Sequence, residues 1–98
     1  MFDWDDLRYF LAVARHGSTL AAGRALNINQ STVQRRLAAL EQRIGSPLVT
    51  RQPSGYRLTE LGQRMVAHAE RVEQAVLALE QQLTEATRAV AGVLRVAC

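Results

Sequence analysis

The stretch Ser18-Thr19-Leu20-Ala21-Ala22-Gly23-Arg24-Ala25-Leu26-Asn27-Ile28-Asn29-Gln30-Ser31-Thr32-Val33-Gln34-Arg35-Arg36-Leu37-Ala38-Ala39-Leu40-Glu41-Gln42-Arg43-Ile44-Gly45 decides how the chain folds. Ser18 is placed to cap a short helix, in which Ala21, Ala22, Ala25 and Leu26 supply small side chains that let another helix approach. Asn27-Ile28-Asn29 reads as a tight turn, and Asn29 as the cap of a longer helix. The buried line of that helix is Val33, Leu37, Leu40 and Ile44, spaced 4, 3, 4. Gly45 ends it and Pro47 prevents its resumption.

Upstream, Leu7, Phe10, Leu11 and Ala14 recur at helical spacing, which predicts an amphipathic helix over about residues 5–15. Asp3, Asp5 and Asp6 lie at its positive end, and Gly17 stops it. Downstream the period changes. Leu48-Val49-Thr50 and Tyr56-Arg57-Leu58 favour strands, and Arg51-Gln52-Pro53-Ser54-Gly55 between them is rich in turn formers, so a hairpin follows the third helix. Tyr56 and Leu58 are expected to anchor it to the core.

Thr59 caps the next segment, which reaches about Ala91 without a proline and with Gly62 as its one glycine; a helix of about 30 residues, or ~45 Å, is expected. Met65, Ala69, Val72, Val76, Leu79, Leu83, Ala86 and Val90 keep an unbroken 4-3 spacing along it. A seam that regular calls for a partner helix. Gly92 is expected to break the helix, and Val93-Leu94-Arg95-Val96-Ala97-Cys98 reads as the start of a strand, which suggests a truncated chain. The fold class is therefore mainly α, with three helices and a short hairpin forming a winged helix-turn-helix over 1–58, a long helix with a dimerisation seam over 59–91, and a strand start over 92–98.

Charge narrows the function. All twelve basic residues are arginines, against nine carboxylates, for a net charge of +3. From Arg15 to Arg64 eight arginines face only Glu41 and Glu60, a local excess of +6, whereas Met65 onward carries −1. A basic body points to a polyanion, with nucleic acid ahead of an anionic membrane surface. No apolar run is long enough to span a membrane, and the acidic N-terminus is unlike a secretory signal; a cytoplasmic protein is expected. The single cysteine, Cys98, has no disulfide partner or metal-ligand neighbours.

Opposite the buried line of the third helix lie Gln30, Ser31, Gln34, Arg35 and Ala38. In a helix-turn-helix the second helix of the pair enters the DNA major groove N-terminus first. Glutamine can pair bidentately with adenine and arginine with guanine, while the hydroxyls of Ser31 and Thr32 reach phosphate or base edges. A solvated helix face would also be polar; the basic excess and the adjoining hairpin favour the DNA reading. On the hairpin, Arg51 and Arg57 flank a tip small enough to enter a minor groove. The competing reading is a protein-interaction module built on the heptad helix. Enzymatic chemistry is not indicated, because His16 and His68 are far apart and have no nucleophile or acid partner at catalytic spacing, nor is there a phosphate loop or metal-ligand cluster. No cofactor is expected.

These residues carry a resemblance. Leu7-Arg8-Tyr9-Phe10-Leu11-Ala12-Val13-Ala14, Gly17-Ser18, Ala21-Ala22, Leu26-Asn27-Ile28-Asn29-Gln30-Ser31, Arg35, Leu40-Glu41, Ile44-Gly45-Ser46-Pro47-Leu48, Arg51 and Gly55-Tyr56-Arg57-Leu58-Thr59-Glu60-Leu61-Gly62 together resemble the N-terminal DNA-binding region of LysR-type bacterial transcriptional regulators. The resemblance implies a sequence-specific double-stranded DNA binder that forms a homodimer through its linker helix, usually antiparallel, followed by an effector-binding domain. It is also compatible with a tetramer of the full-length protein and with contact to RNA polymerase. Carried over by position, it makes Gln30, Ser31, Gln34 and Arg35 groove-facing, makes Arg51, Ser54 and Gly55 the wing, and makes 92–98 the start of a truncated effector-binding domain; the reading of the residues adds Thr32 and Arg57 to the DNA-binding set and gives dimerisation to Met65, Ala69, Val72, Val76, Leu79, Leu83 and Ala86. This chain departs from the family's common pattern at Ser31, where proline is usual, at Gln34, where serine or threonine is usual, and at Val49, where phenylalanine is usual.

Overall fold

The computed structural model describes the backbone of residues 2–97 and the side chains of residues 2–88. The order is α1 (Trp4–His16), α2 (Thr19–Leu26), α3 (Gln30–Ile44), β1 (Val49–Gln52), β2 (Gly55–Leu58) and α4 (Glu60–Ala97). Helix α1 lies at the centre, touching α2, α3, α4 and β2.

Each helix in the body starts and stops where short-range chemistry dictates. Asp3 and Asp6 form a reciprocal capping box on α1, Asp3 Oδ1 accepting from the Asp6 N–H at 3.0 Å. Gly17 closes α1 with φ 78°, and Ser18 caps α2 by accepting the Ala21 N–H at 3.0 Å. Thr59 Oγ1 caps α4, accepting the Gly62 N–H at 3.0 Å. Asn29 occupies the cap position of α3 but makes no side-chain cap bond; its carbonyl receives the Thr32 and Val33 N–H groups instead.

The core consists of Phe10, Ala12 and Val13 from α1, Ala22 from α2, Val33, Leu37 and Leu40 from α3, and Leu48 before the hairpin. Full burial of the larger side chains contributes about 1.5–3 kcal/mol each. Tyr56 and Leu58 pack against this core, as expected of the hairpin's anchors. A second cluster joins Leu7 and Leu11 of α1 to Ala69 of α4, flanked by Trp4, Met65 and Val66.

The close approach of α2 to α3 rests on Ala22 and Gly23 rather than on Ala25, which is exposed. A Cβ on Gly23 would come within 2.8 Å of the Ile28 carbonyl oxygen, the first residue past the left-handed Asn27 (φ 58°). The hairpin is also tighter than expected. Arg51, Gln52 and Gly55 belong to its strands, leaving Pro53-Ser54 as the tip, because the ladder continues to the Gln52–Gly55 pair and proline's fixed φ suits the turn.

Helix α4 differs most from expectation. Its backbone remains helical through Ala97, passing Gly92 and replacing the expected strand over 93–97. One glycine costs a helix only about 1 kcal/mol, and a lone strand here would have no ladder partner. The side chain of Val90 and all of Cys98 lie outside the described residues.

Candidate nucleic-acid interface

The outward face of α3 carries Gln30, Ser31 and Arg35 exposed and Thr32 and Gln34 half-buried. The wing stands beside it. One cleft is lined by Ser18, Thr19, Gln30, Arg51, Gln52, Pro53, Gly55 and Tyr56, and a second by Gln34, Leu37, Ala38, Glu41, Val49, Arg51 and Tyr56. Arg51 is common to both, so it bridges wing and helix, together with Gln30 and Gln34.

The strand register separates the two wing arginines. Arg51 pairs with Tyr56, while Arg57 pairs with Thr50 one residue along. Successive side chains on a strand point to opposite faces, so Arg51 shares the face of Tyr56, toward α3, and Arg57 occupies the other. The two arginines thus flank the tip from different strands and different faces. Of the other wing residues, Ser54 is exposed at the tip, whereas Gly55 is half-buried with φ 130° against the Gly17 carbonyl. That carbonyl also accepts the Tyr56 N–H at 2.8 Å. Glycine at position 55 thus seats the wing on the α1–α2 corner.

Carboxylates sort the remaining arginines. Asp6 is buried and accepts from Arg43 at 2.8 Å, with Arg36 at 3.8 Å. Arg36 also lies over the Tyr9 ring, 5.7 Å from its centroid, and is thereby engaged with α1. Arg15 forms a two-pronged pair with Glu73 at 2.6 and 2.8 Å and reaches Glu70 at 3.4 Å, tying α1 to α4. The Glu73 hydrogen bond raises the Arg15 pKa above its ordinary value, and Arg15 in turn holds the Glu73 carboxyl below the usual carboxylate range. Arg64 pairs with Glu60. Among the described residues of the body, Arg24, Arg35, Arg51 and Arg57 have no carboxylate partner. Three of these four belong to the predicted site; Arg24, in the last turn of α2, is an addition that only the ion-pair pattern exposes.

The proposed dimer seam splits into two parts. Met65 is half-buried and Ala69 is only 1% exposed, both packed on α1, so their apolar surface is used within the chain. Val72, Leu79 and Leu83 are 39%, 56% and 57% exposed, Val76 is half-buried and Ala86 exposed. His68 is exposed on α4 at the rim of an apolar groove with Phe2, Leu61, Met65 and Val72, and His16 is exposed in the last turn of α1. Among the described residues no helix is long and apolar enough to cross a membrane.

Comparison with known proteins agrees with this geometry. Residues 4–63 match the family model described as bacterial regulatory helix-turn-helix protein, lysR family. The chain is 37% identical over 95 residues to the HTH-type transcriptional regulator ClcR of Pseudomonas putida, covering 97% of this chain and 32% of that protein. It thus spans about a third of the relative's length. Among solved structures it is similar to the complex of the CbnR DBD with DNA (32% identity, TM-score 0.72, 92% of this chain and 99% of that one). It is also similar to the BenM DBD with benA site 1 DNA (25% identity, TM-score 0.79, covering 86% and 98%). With three helices, a two-stranded wing and a long following helix in the matching order, the chain belongs to the lysR family of bacterial regulatory helix-turn-helix proteins.

Proposed function

We propose that the chain binds double-stranded DNA sequence-specifically as a dimer in bacterial transcription regulation, with α3 in the major groove and the wing on the adjacent minor groove. The observation that carries this reading is the clustering of arginines without a carboxylate partner and outward polar side chains: Arg35, Ser31 and Gln30 on α3, and Arg51 in the clefts between α3 and the wing. Arg35 would read guanine and the glutamines adenine, while Arg24, Arg51 and Arg57 meet phosphates or the minor groove. The relatives named above, a transcriptional regulator and two DNA complexes, support the same reading.

Dimerisation would use Val72, Val76, Leu79, Leu83 and Ala86, with two copies presenting their α3 helices to two half-sites. The protein acts in this reading as a cytoplasmic regulator without catalysis or cofactor. A tetramer and a contact with RNA polymerase would belong to a longer protein.

Selection of bound sequences from random duplex DNA tests the proposal, and should return a partly palindromic site. Binding to that site should weaken steeply with salt, log K falling by about 0.9 per phosphate contact for each decade of salt. Recovery of no preferred sequence, or a complex indifferent to salt, overturns it. The exposed seam alone would also suit a protein-interaction module; that alternative requires association with a partner protein and no DNA affinity, which sedimentation with and without duplex separates.

A further inference from the structure

Among the described residues two polar side chains are buried, Asp6 and Thr19. Arginines answer Asp6. Thr19, the first residue of α2 and 2% exposed, is answered by α3: its Oγ1 accepts from Gln30 Nε2 at 3.1 Å and from Gln34 Nε2 at 3.4 Å. Gln30 and Gln34 stand one turn apart at the start of α3, so a single hydroxyl oxygen gathers two amides. No other side chain in the described body holds two groups of the outward face.

A hydroxyl oxygen has two lone pairs, and a glutamine amide has two N–H groups and a carbonyl oxygen. Bidentate reading of adenine uses one N–H and the carbonyl oxygen. Each glutamine therefore spends one hydrogen on Thr19 and retains the pair that adenine requires. What it loses is freedom, since a solvated glutamine side chain must be ordered, against its rotamer entropy, when it binds. Both amides are instead anchored before any base arrives.

We propose that Thr19 is a positioning residue for base reading, its hydroxyl fixing the amide orientation of Gln30 and Gln34 so that both present one N–H and one oxygen to the groove. The inference rests on the major-groove reading above, and names a residue that need not touch DNA. Replacing the hydroxyl with a methyl in Thr19→Val keeps side-chain volume and frees both amides. Non-specific binding, which depends on phosphate charge, would not respond.

The test measures affinity of the 98-residue chain for the selected duplex, each of its single-base-pair variants, and a random duplex. Thr19→Val should lose about 3- to 10-fold on the selected duplex, as expected for one hydrogen-bonding group. The loss should fall on the base positions whose preference Gln30→Ala or Gln34→Ala also abolishes, with random-duplex affinity and helical content unchanged. Thr19→Ser should restore the unsubstituted profile within about 2-fold. If the glutamine variants change the profile and Thr19→Val does not, positioning is overturned while major-groove reading stands. If the glutamine variants leave the profile untouched, both fall. Loss of random-duplex affinity in parallel with the selected site marks a merely structural threonine and also overturns the proposal. Side-chain amide relaxation in the unsubstituted chain gives a measurement that no folding defect can blur: Gln30 and Gln34 should be clearly more ordered than exposed Gln42, and equal mobility overturns the inference.

Discussion

Between Met65 and Ala69 the apolar side chains of α4 are covered by α1, whereas from Val72 to Leu83 the same 4-3 spacing continues with side chains largely open to solvent. The first part completes the body's core; the second has nothing among the described residues to cover it. One uninterrupted period thus serves two surroundings. Periodicity reports which residues share a helix face, but what packs on that face is set by how far the body reaches, and here the molecule is 61 Å long and only 24 by 20 Å across.

The largest test of this contrast compares a core residue with a seam residue. Leu40→Ala should lower the unfolding free energy by about 2–5 kcal/mol at any protein concentration, because it empties a fully buried site. Leu79→Glu should change unfolding of the dilute chain by only about 0.5 kcal/mol while shifting sedimentation toward monomer. Denaturation at several concentrations checks both, and a Leu79→Glu chain that stays dimeric at micromolar concentration breaks the comparison.

A second pair of variants carries the contrast onto α3. Arg35 and Arg36 are sequence neighbours, but Arg35 is free and Arg36 lies over Tyr9 and near Asp6. Arg35→Ala should cost about 1–3 kcal/mol on the selected duplex and relax its preference, with thermal unfolding unchanged. Arg36→Ala should cost about 0.5–1 kcal/mol of stability and leave the base profile intact. Equal effects on binding from both would show that partner carboxylates do not sort these arginines.

The smallest effect concerns pH. Arg15 holds Glu73 below the ordinary carboxylate pKa of about 4.3, so the folded state binds this proton less readily than the unfolded chain. The stabilisation is therefore complete above that value and disappears as pH falls through the lower, folded value. Because Arg15 is 42% exposed, it should amount to less than about 1 kcal/mol. Acid unfolding of Glu73→Gln, compared with the unsubstituted chain, should lose this part of the pH dependence; an unchanged profile would show that the tie between α1 and the root of the exposed segment contributes nothing.

Helix positions, the turn around Asn27 and the existence of the wing were legible because each depends on neighbours within a few residues. Leu7, Phe10 and Leu11, or Val33, Leu37 and Leu40, announce their faces by spacing alone. The identity of the outward residues of α3 followed by subtraction. What escaped depends on contacts between elements. Asp6 looks like a dipole partner until α3 brings Arg43 to it from 37 positions away, and Thr19 looks like an ordinary first-turn residue until Gln30 and Gln34 converge on it. The opposite faces of Arg51 and Arg57 follow from the ladder register, which the turn-rich composition of 51–55 obscured. The continuation of α4 past Gly92 shows that a single glycine is weak punctuation when no competing structure is at hand.

The segment Pro47–Val49 joins parts that otherwise have little to do with one another. Glu41 of α3 accepts the Leu48 and Val49 N–H groups at 2.7 and 3.3 Å, and the Thr59 hydroxyl donates to the Pro47 carbonyl at 2.8 Å. The Thr59 N–H donates to the Leu48 carbonyl, against which Gly62 leaves no room for a Cβ. Mechanically this is a clamped hinge pin at the foot of a long lever. Beyond the tie of Glu73 to Arg15, α4 continues from residue 74 to Ala97, or ~36 Å, so a tilt of about 5° there carries its far end through ~3 Å. One short segment thus sets three orientations together, since α3, the wing and the foot of α4 are all referred to the same few backbone groups at 47–49.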